Sequence, residues 1–202
     1  MMQQNAELQP RRYVDPEAGV TVVRVNLGEH HTTAVAGEVL TAHVGRAVAV
    51  CLRDAKKQVG GLLVMRLPPI VDEEATRGLI HRYGAYAIEE VIVNLEKRGG
   101  RKTRLVAALF GGAEPGTNDP AKGTGLATGE FIEEYLMDWG VQVVETEIGG
   151  ELARKVQYAP STGRTRVRPA EPGDSEQIFK AESARPVLIR KDPKTGSMEI
   201  FD

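Results

Sequence analysis

The chain has 202 residues, 41% hydrophobic and 27% charged, with 26 Lys and Arg against 28 Asp and Glu for a net charge of −2. That length buries a sizeable core without staples, and the near balance of charge argues against a general nucleic-acid binder, whose affinity comes from neutralising phosphates. The single cysteine, Cys51, excludes an intrachain disulfide framework and a cysteine-rich metal site. No run of 18 apolar residues is present, so no membrane insertion is expected.

Residues 1–19 read as a polar leader without the apolar stretch of a secretory signal, which points to the cytoplasm. A β-rich segment runs from Val20 to Val25, and Asn26-Leu27-Gly28-Glu29 reads as a turn. Thr32–Val35 and Val39–Val44 are short strand candidates. The nearly continuous apolar run Ala47–Leu52 fits a strand buried on both faces. The polar residues 53–58 then lead into a second apolar strand, Val59–Leu67, so the two read as a hairpin. From Ile80 to Lys97 the apolar residues Tyr83, Ala87, Val91 and Leu95 recur at four-residue steps, with Ile88 and Ile92 beside them, and predict an amphipathic helix stopped by Gly99-Gly100. Leu105–Phe110 reads as a buried strand, residues 111–128 as a polar loop, and Glu130–Trp139 as a second helix. Val141–Glu145, Ala153–Tyr158 and Arg164–Arg168 read as strands, the last two joined by the turn Ser161-Thr162-Gly163. Composition shifts at Pro169. Residues 169–184 read as a linker, and a small hairpin between Pro186 and Phe201 could close the chain. Strands and helices mix without strict βαβ alternation, which predicts an α+β layered fold.

A reactive cysteine needs exposure and a neighbouring base or helix N-terminus. Cys51 lies inside an apolar run and reads as a small buried hydrophobe. His30 and His31 are adjacent on a strand, so they point to opposite faces and make a poor ligand pair. His43 has no metal-spaced partners, His81 begins the first helix, and no metal is expected. The glycines at 111–112 and 123–129 invite a phosphate-loop reading, yet they lack the Gly-Lys-Ser/Thr ending of a nucleotide loop. No Ser-His-Asp pattern is present. The residues alone define a globular domain without an evident reaction centre, and no cofactor is expected.

Several segments together resemble the chemoreceptor glutamine deamidase family, CheD. Gly45-Arg46-Ala47-Val48-Ala49-Val50-Cys51-Leu52-Arg53-Asp54 is similar to that family's Gly-Ser-Cys-Val-Ala-Val-Cys-Leu-Arg-Asp segment. Val59-Gly60-Gly61 through Leu67-Pro68, Arg82-Tyr83-Gly84, Phe110-Gly111-Gly112, Gly149-Gly150 with Arg154, and Thr162-Gly163 follow in the family's order. The resemblance spans about Val22 to Arg168. It implies an α/β/β layered sandwich with mixed sheets and two main helices, here a domain over 20–168 followed by a tail over 169–202. It also implies methyl-accepting chemoreceptors and a CheC-type phosphatase as partners, and a deamidase that uses a Cys–His pair assisted by a threonine. A thiolate attacks the carboxamide, and the histidine delivers a proton to the departing amine.

Carried onto this sequence, the nucleophile position is Ala47, the histidine position is Val64, and the threonine position is kept as Thr41. The family's Ile-Gly-x-Arg-Asn segment reads Thr124-Gly125-Leu126-Ala127-Thr128, so its Arg and Asn are replaced as well. The expectation is a CheD-like chemotaxis protein with impaired catalysis that acts by binding. Two alternatives stand beside it: an active deamidase with a rearranged site using Cys51 as fallback nucleophile, and a small-ligand binding module built on the loop Gly111–Gly129.

Overall fold

The apolar run around Val50 becomes a central strand because both of its faces are covered. The computed structural model describes residues 12–67, 75–116 and 123–185. In chain order these form β1 (Arg12–Asp15), β2 (Val20–Arg24), β3 (His30–Thr33), β4 (Glu38–Val44), β5 (Val48–Asp54), β6 (Val59–Met65), α1 (Ala75–Lys97), β7 (Leu105–Gly111), α2 (Thr124–Asp138), β8 (Gln142–Ile148), β9 (Arg154–Ala159), β10 (Arg164–Pro169) and α3 (Pro172–Ser183). Two five-stranded sheets result, one ordered β1-β2-β4-β9-β10 and the other β3-β6-β5-β7-β8. Both are mixed, since β2 runs parallel to β4 and β7 parallel to β8.

Period-two alternation sorts the residues of β5 between two cores. On β5, Val48, Val50 and Leu52 join Ile88, Val91, Ile92 and Leu95 of α1 and Phe131, Ile132 and Leu136 of α2 in the core between the second sheet and the helices. Ala49 and Cys51, with Ala47 just ahead of the strand, join Leu40, Ala42 and Val44 of β4 and Val156 and Tyr158 of β9 in the core between the sheets. The order is helices, sheet, sheet, the expected α/β/β arrangement. The Val59 strand pairs antiparallel with β5 as a hairpin, and so do β9 and β10. Gly99 and Gly100 close α1 by donating to the carbonyls of Glu96 and Leu95.

Three expectations are corrected. Residues 172–183, read as linker, form α3, so the described residues hold three α-helices. Arg12–Asp15, read as part of a leader, pairs with β2 as an edge strand. The second helix starts at Thr124 rather than Glu130. Its glycines disguised it as loop, but they serve close packing: a Cβ at Gly125 would lie 2.7 Å from the Gly112 carbonyl. Residues 1–11, the Pro68-Pro69 break, loop residues 117–122, the side chain of His81 and the hairpin expected between Pro186 and Phe201 lie outside the described residues.

Candidate functional site

Three residues, Gly45, Arg46 and Ala47, carry the chain from β4 in one sheet to β5 in the other. Their carbonyls are held by the end of β7: the Gly112 N–H donates to Ala47 O at 2.9 Å and the Ala113 N–H to Gly45 O at 2.8 Å. Their amides all turn the other way, onto one side chain. The Gly45 N–H donates to Glu182 Oε1 at 2.7 Å and the Arg46 N–H to Oε2 at 2.8 Å, while the Ala47 N–H lies 3.3 Å from both oxygens. Glu182 stands in the last turn of α3 and is 5% exposed.

Successive amides converging on one point make a cradle for a carboxylate or an oxyanion. One buried arginine, Arg66, reinforces it, and a second, Arg46, packs on the helix that brings Glu182. The Arg46 guanidinium lies over the Phe179 ring of α3, 5.2 Å from its centroid, and Arg66 follows β6 and acts electrostatically on Glu182. Burial pushes the Glu182 carboxyl up in pKa, while the three amides and Arg66 favour its charged form. α3 is held further by Ser175 Oγ, which accepts the Ala153 N–H at 2.8 Å, and by the Lys155–Asp174 ion pair.

Ala47 and Val64 are both 0% exposed and sit in the core between the sheets. Cys51 is in the same cluster, 3% exposed, opposite Leu62 of β6 and Ala108 of β7. Burial, helped by the charge of Glu145, pushes its thiol pKa far up, so it stays protonated. Thr41 is not gathered with them. Its neighbours Leu40 and Ala42 point into the inter-sheet core, so alternation puts Thr41 and His43 on the outer face of the first sheet. His43 is within electrostatic reach of Arg24, Lys155 and Asp174 there.

His30 and His31 part as their adjacency requires. His30 Nε2 lies 3.1 Å from Asn94 Nδ2 of α1, and His31 Nε2 lies 3.2 Å from the buried Glu38 of β4. Among the described residues no three His, Cys, Asp or Glu side chains gather as a metal site. The glycine-rich start of α2 is occupied as well. Glu114 accepts the N–H groups of Gly123, Gly125 and Leu126 at 2.9, 2.8 and 3.3 Å, so a phosphate there would have to displace it. Thr128, in the altered family segment, is buried. Its hydroxyl donates to Thr124 O at 2.6 Å and accepts the Leu67 N–H at 3.1 Å. Beside the amide cradle a cleft of about 770 Å³ opens between β2, β3 and α1, lined among others by Arg12, Arg24, Glu90 and Tyr83, and it reaches Arg66 and Arg185.

Glu182 and Phe179 escape a reading of the sequence because nothing in a polar tail marks them. Arg46 carries a signal: a charged residue opening an apolar run needs a buried partner, and the Phe179 ring of α3 supplies one.

The family model described as "CheD chemotactic sensory transduction" matches residues 67–169. That match begins beyond Thr41, Ala47 and Val64. A protein of Caulobacter vibrioides (strain NA1000 / CB15N) is 37% identical over 187 residues, covering 93% of this chain and 96% of its own. One of Rhizobium rhizogenes (strain K84 / ATCC BAA-868) is 35% identical over 92% of this chain and 98% of its own, and one of Rhodopseudomonas palustris (strain BisA53) is 32% identical over 95% and 89%. All three carry the name "Probable chemoreceptor glutamine deamidase CheD". No helix among the described residues is long and apolar enough to cross a membrane.

Proposed function

The chain belongs to the CheD family, and from that premise we propose that it serves chemotaxis by binding chemoreceptors without deamidating them. The observation that carries this reading is the burial of inert side chains at both reactive positions. Deamidation by a thiol needs a sulfur that attacks the carboxamide carbon and a base that moves a proton to the departing amine. Here those places hold a methyl and an isopropyl group, each 0% exposed. The three convergent amides of Gly45, Arg46 and Ala47, which hold the Glu182 carboxylate, have the geometry of an oxygen-holding cradle and support a retained binding role.

A rearranged site would have to work through Cys51, and that sulfur is sealed between the sheets, opposite apolar partners. Loss of a covalent nucleophile costs several orders of magnitude in rate. A CheC-type phosphatase is the second partner in this proposal, tested in the same binding format.

The experiment is to incubate the protein with cytoplasmic fragments of chemoreceptors in their glutamine form. Association is followed by pull-down, turnover by ammonia release and by the mass change of glutamine to glutamate. The expected result is association with no ammonia above the fragment alone. Ammonia release that disappears on alkylation of Cys51, or in Cys51→Ala, overturns it in favour of the rearranged deamidase.

A further inference from the structure

A glutamate carboxylate occupies the cradle made by the amides of Gly45, Arg46 and Ala47. It comes from the chain itself. α3 has 12 residues and buries only Ser175, Phe179 and Glu182. A helix of that length is marginal alone, so its docking is decided by few contacts. One of them is a carboxylate whose desolvation is costly unless fully paired. The cradle it fills does not depend on α3 for its shape, because the carbonyls of Gly45 and Ala47 are pinned from the other side by Ala113 and Gly112.

The donors also discriminate. Three backbone N–H groups converge on the carboxylate and Arg66 adds a favourable charge, so the groups that hold the ligand's oxygens are donors and a cation. A carboxylate presents two acceptor oxygens to such a set. A carboxamide presents one oxygen and an NH₂ whose protons would face other donors. Glutamate, the product form of a deamidated side chain, therefore fits where glutamine does not.

We propose that the Gly45–Ala47 amides, with Arg66, form a glutamate subsite, and that Glu182 of α3 closes it in cis until a glutamate-bearing helix of a partner displaces it. The choice of a receptor helix as that partner rests on the chemoreceptor reading above; the subsite itself does not.

The test uses the full chain as wild type, Glu182→Ala and Phe179→Ala. The second variant loosens α3 by removing the ring that packs on Gly45 and Arg46, while the three amides and Glu182 keep their identity. Fluorescence anisotropy follows binding of a labelled peptide of residues 170–185, the same peptide with Glu182→Gln, and receptor fragments in glutamate and glutamine forms. Both variants should bind the glutamate peptide at least about tenfold more tightly than wild type, the factor expected where the closed form holds about nine-tenths of the molecules. The glutamine peptide should bind at least about tenfold more weakly. Hydrogen exchange at the amides of Gly45–Ala47 should speed up in Phe179→Ala and slow again with the glutamate peptide. If both variants bind the glutamate peptide no better than wild type, or bind the two peptides equally, the subsite is refuted. If the glutamate peptide binds and neither receptor fragment does, the subsite stands and the chemoreceptor reading falls.

Discussion

A methyl group at position 47 and an isopropyl group at position 64 are small changes in volume and complete changes in chemistry. Both side chains fill the inter-sheet core, so restoring reactive groups would disturb packing as well as reactivity. Val64→His should cost about 2 kcal/mol or more in urea denaturation, through overpacking and burial of an imidazole without a partner; a neutral result would show that the position opens to solvent. Cys51 is the complementary case. The native protein should resist thiol-specific labelling and react fully once unfolded, and rapid labelling of the folded chain would contradict its burial. Asp54 shows what a retained family residue does. Its carboxylate is buried at the end of β5. It accepts the guanidinium of Arg104 and the backbone N–H groups of Lys56, Lys57 and Arg101. Burial alone would raise its pKa; the Arg104 hydrogen bonds, with the backbone donors, outweigh that and hold it below the usual carboxylate range. The folded pKa is then lower than the unfolded one. The carboxylate stabilises the fold above the unfolded value of about 4, and that contribution fades as pH falls through the folded value. Asp54→Asn should lose about 3 kcal/mol at neutral pH and show a shallower drop in melting temperature between about pH 5 and pH 2 than wild type. Parallel acid profiles would remove Asp54 from this role.

At the scale of elements, the loop between β4 and β5 is set by two neighbours of very different legibility. The first is the end of β7. Gly111 has φ +124°, and a Cβ there would lie 2.2 Å from Ala47 O. Gly111→Ala combines a strained backbone with a backbone clash and should cost at least about 3 kcal/mol, read from thermal or urea melts. A wild-type melt would mean that the loop shifts without cost. Phe110-Gly111-Gly112 is visible in the sequence as a strand ending in glycines. The second neighbour, α3, is not visible. Its composition is polar and its apolar residues are Ile178 and Phe179 with one alanine, Ala181, so periodicity has too little to register. What signal exists lies at its ends: Pro172 in the first turn, Asp174 after it and Lys180 near the close, as helix starts and stops require. α2 was half visible for a related reason. Glycines that signal turns in isolation are here the contact surface of a helix against a strand end.

Over the whole molecule, the two sheets share one core, and a helix layer closes the second sheet. Because residues of β4, β9, β5 and β6 meet in that shared core, unfolding should be a single transition by fluorescence and circular dichroism. α3, with its small buried surface, should exchange its amides well before β5, β6 and β7 do in native-state hydrogen exchange. Separate transitions for the two sheets, or α3 protected like β5, would contradict this account.

Local sequence determined the buried strand pair around Val50 and Leu62, the two hairpins, the amphipathic face of α1 and the absence of a thiol and an imidazole at positions 47 and 64. Each of these follows from side-chain identity or from short-range periodicity, which adjacent residues encode by themselves. The parallel pairs β2–β4 and β7–β8, the separation of Thr41 from Ala47 and Val64, and the meeting of Glu182 with the Gly45–Ala47 amides were decided only in three dimensions. The last joins groups 135 to 137 residues apart. Backbone N–H groups carry no residue signature, so an amide cradle becomes visible only when the chain brings it an acceptor.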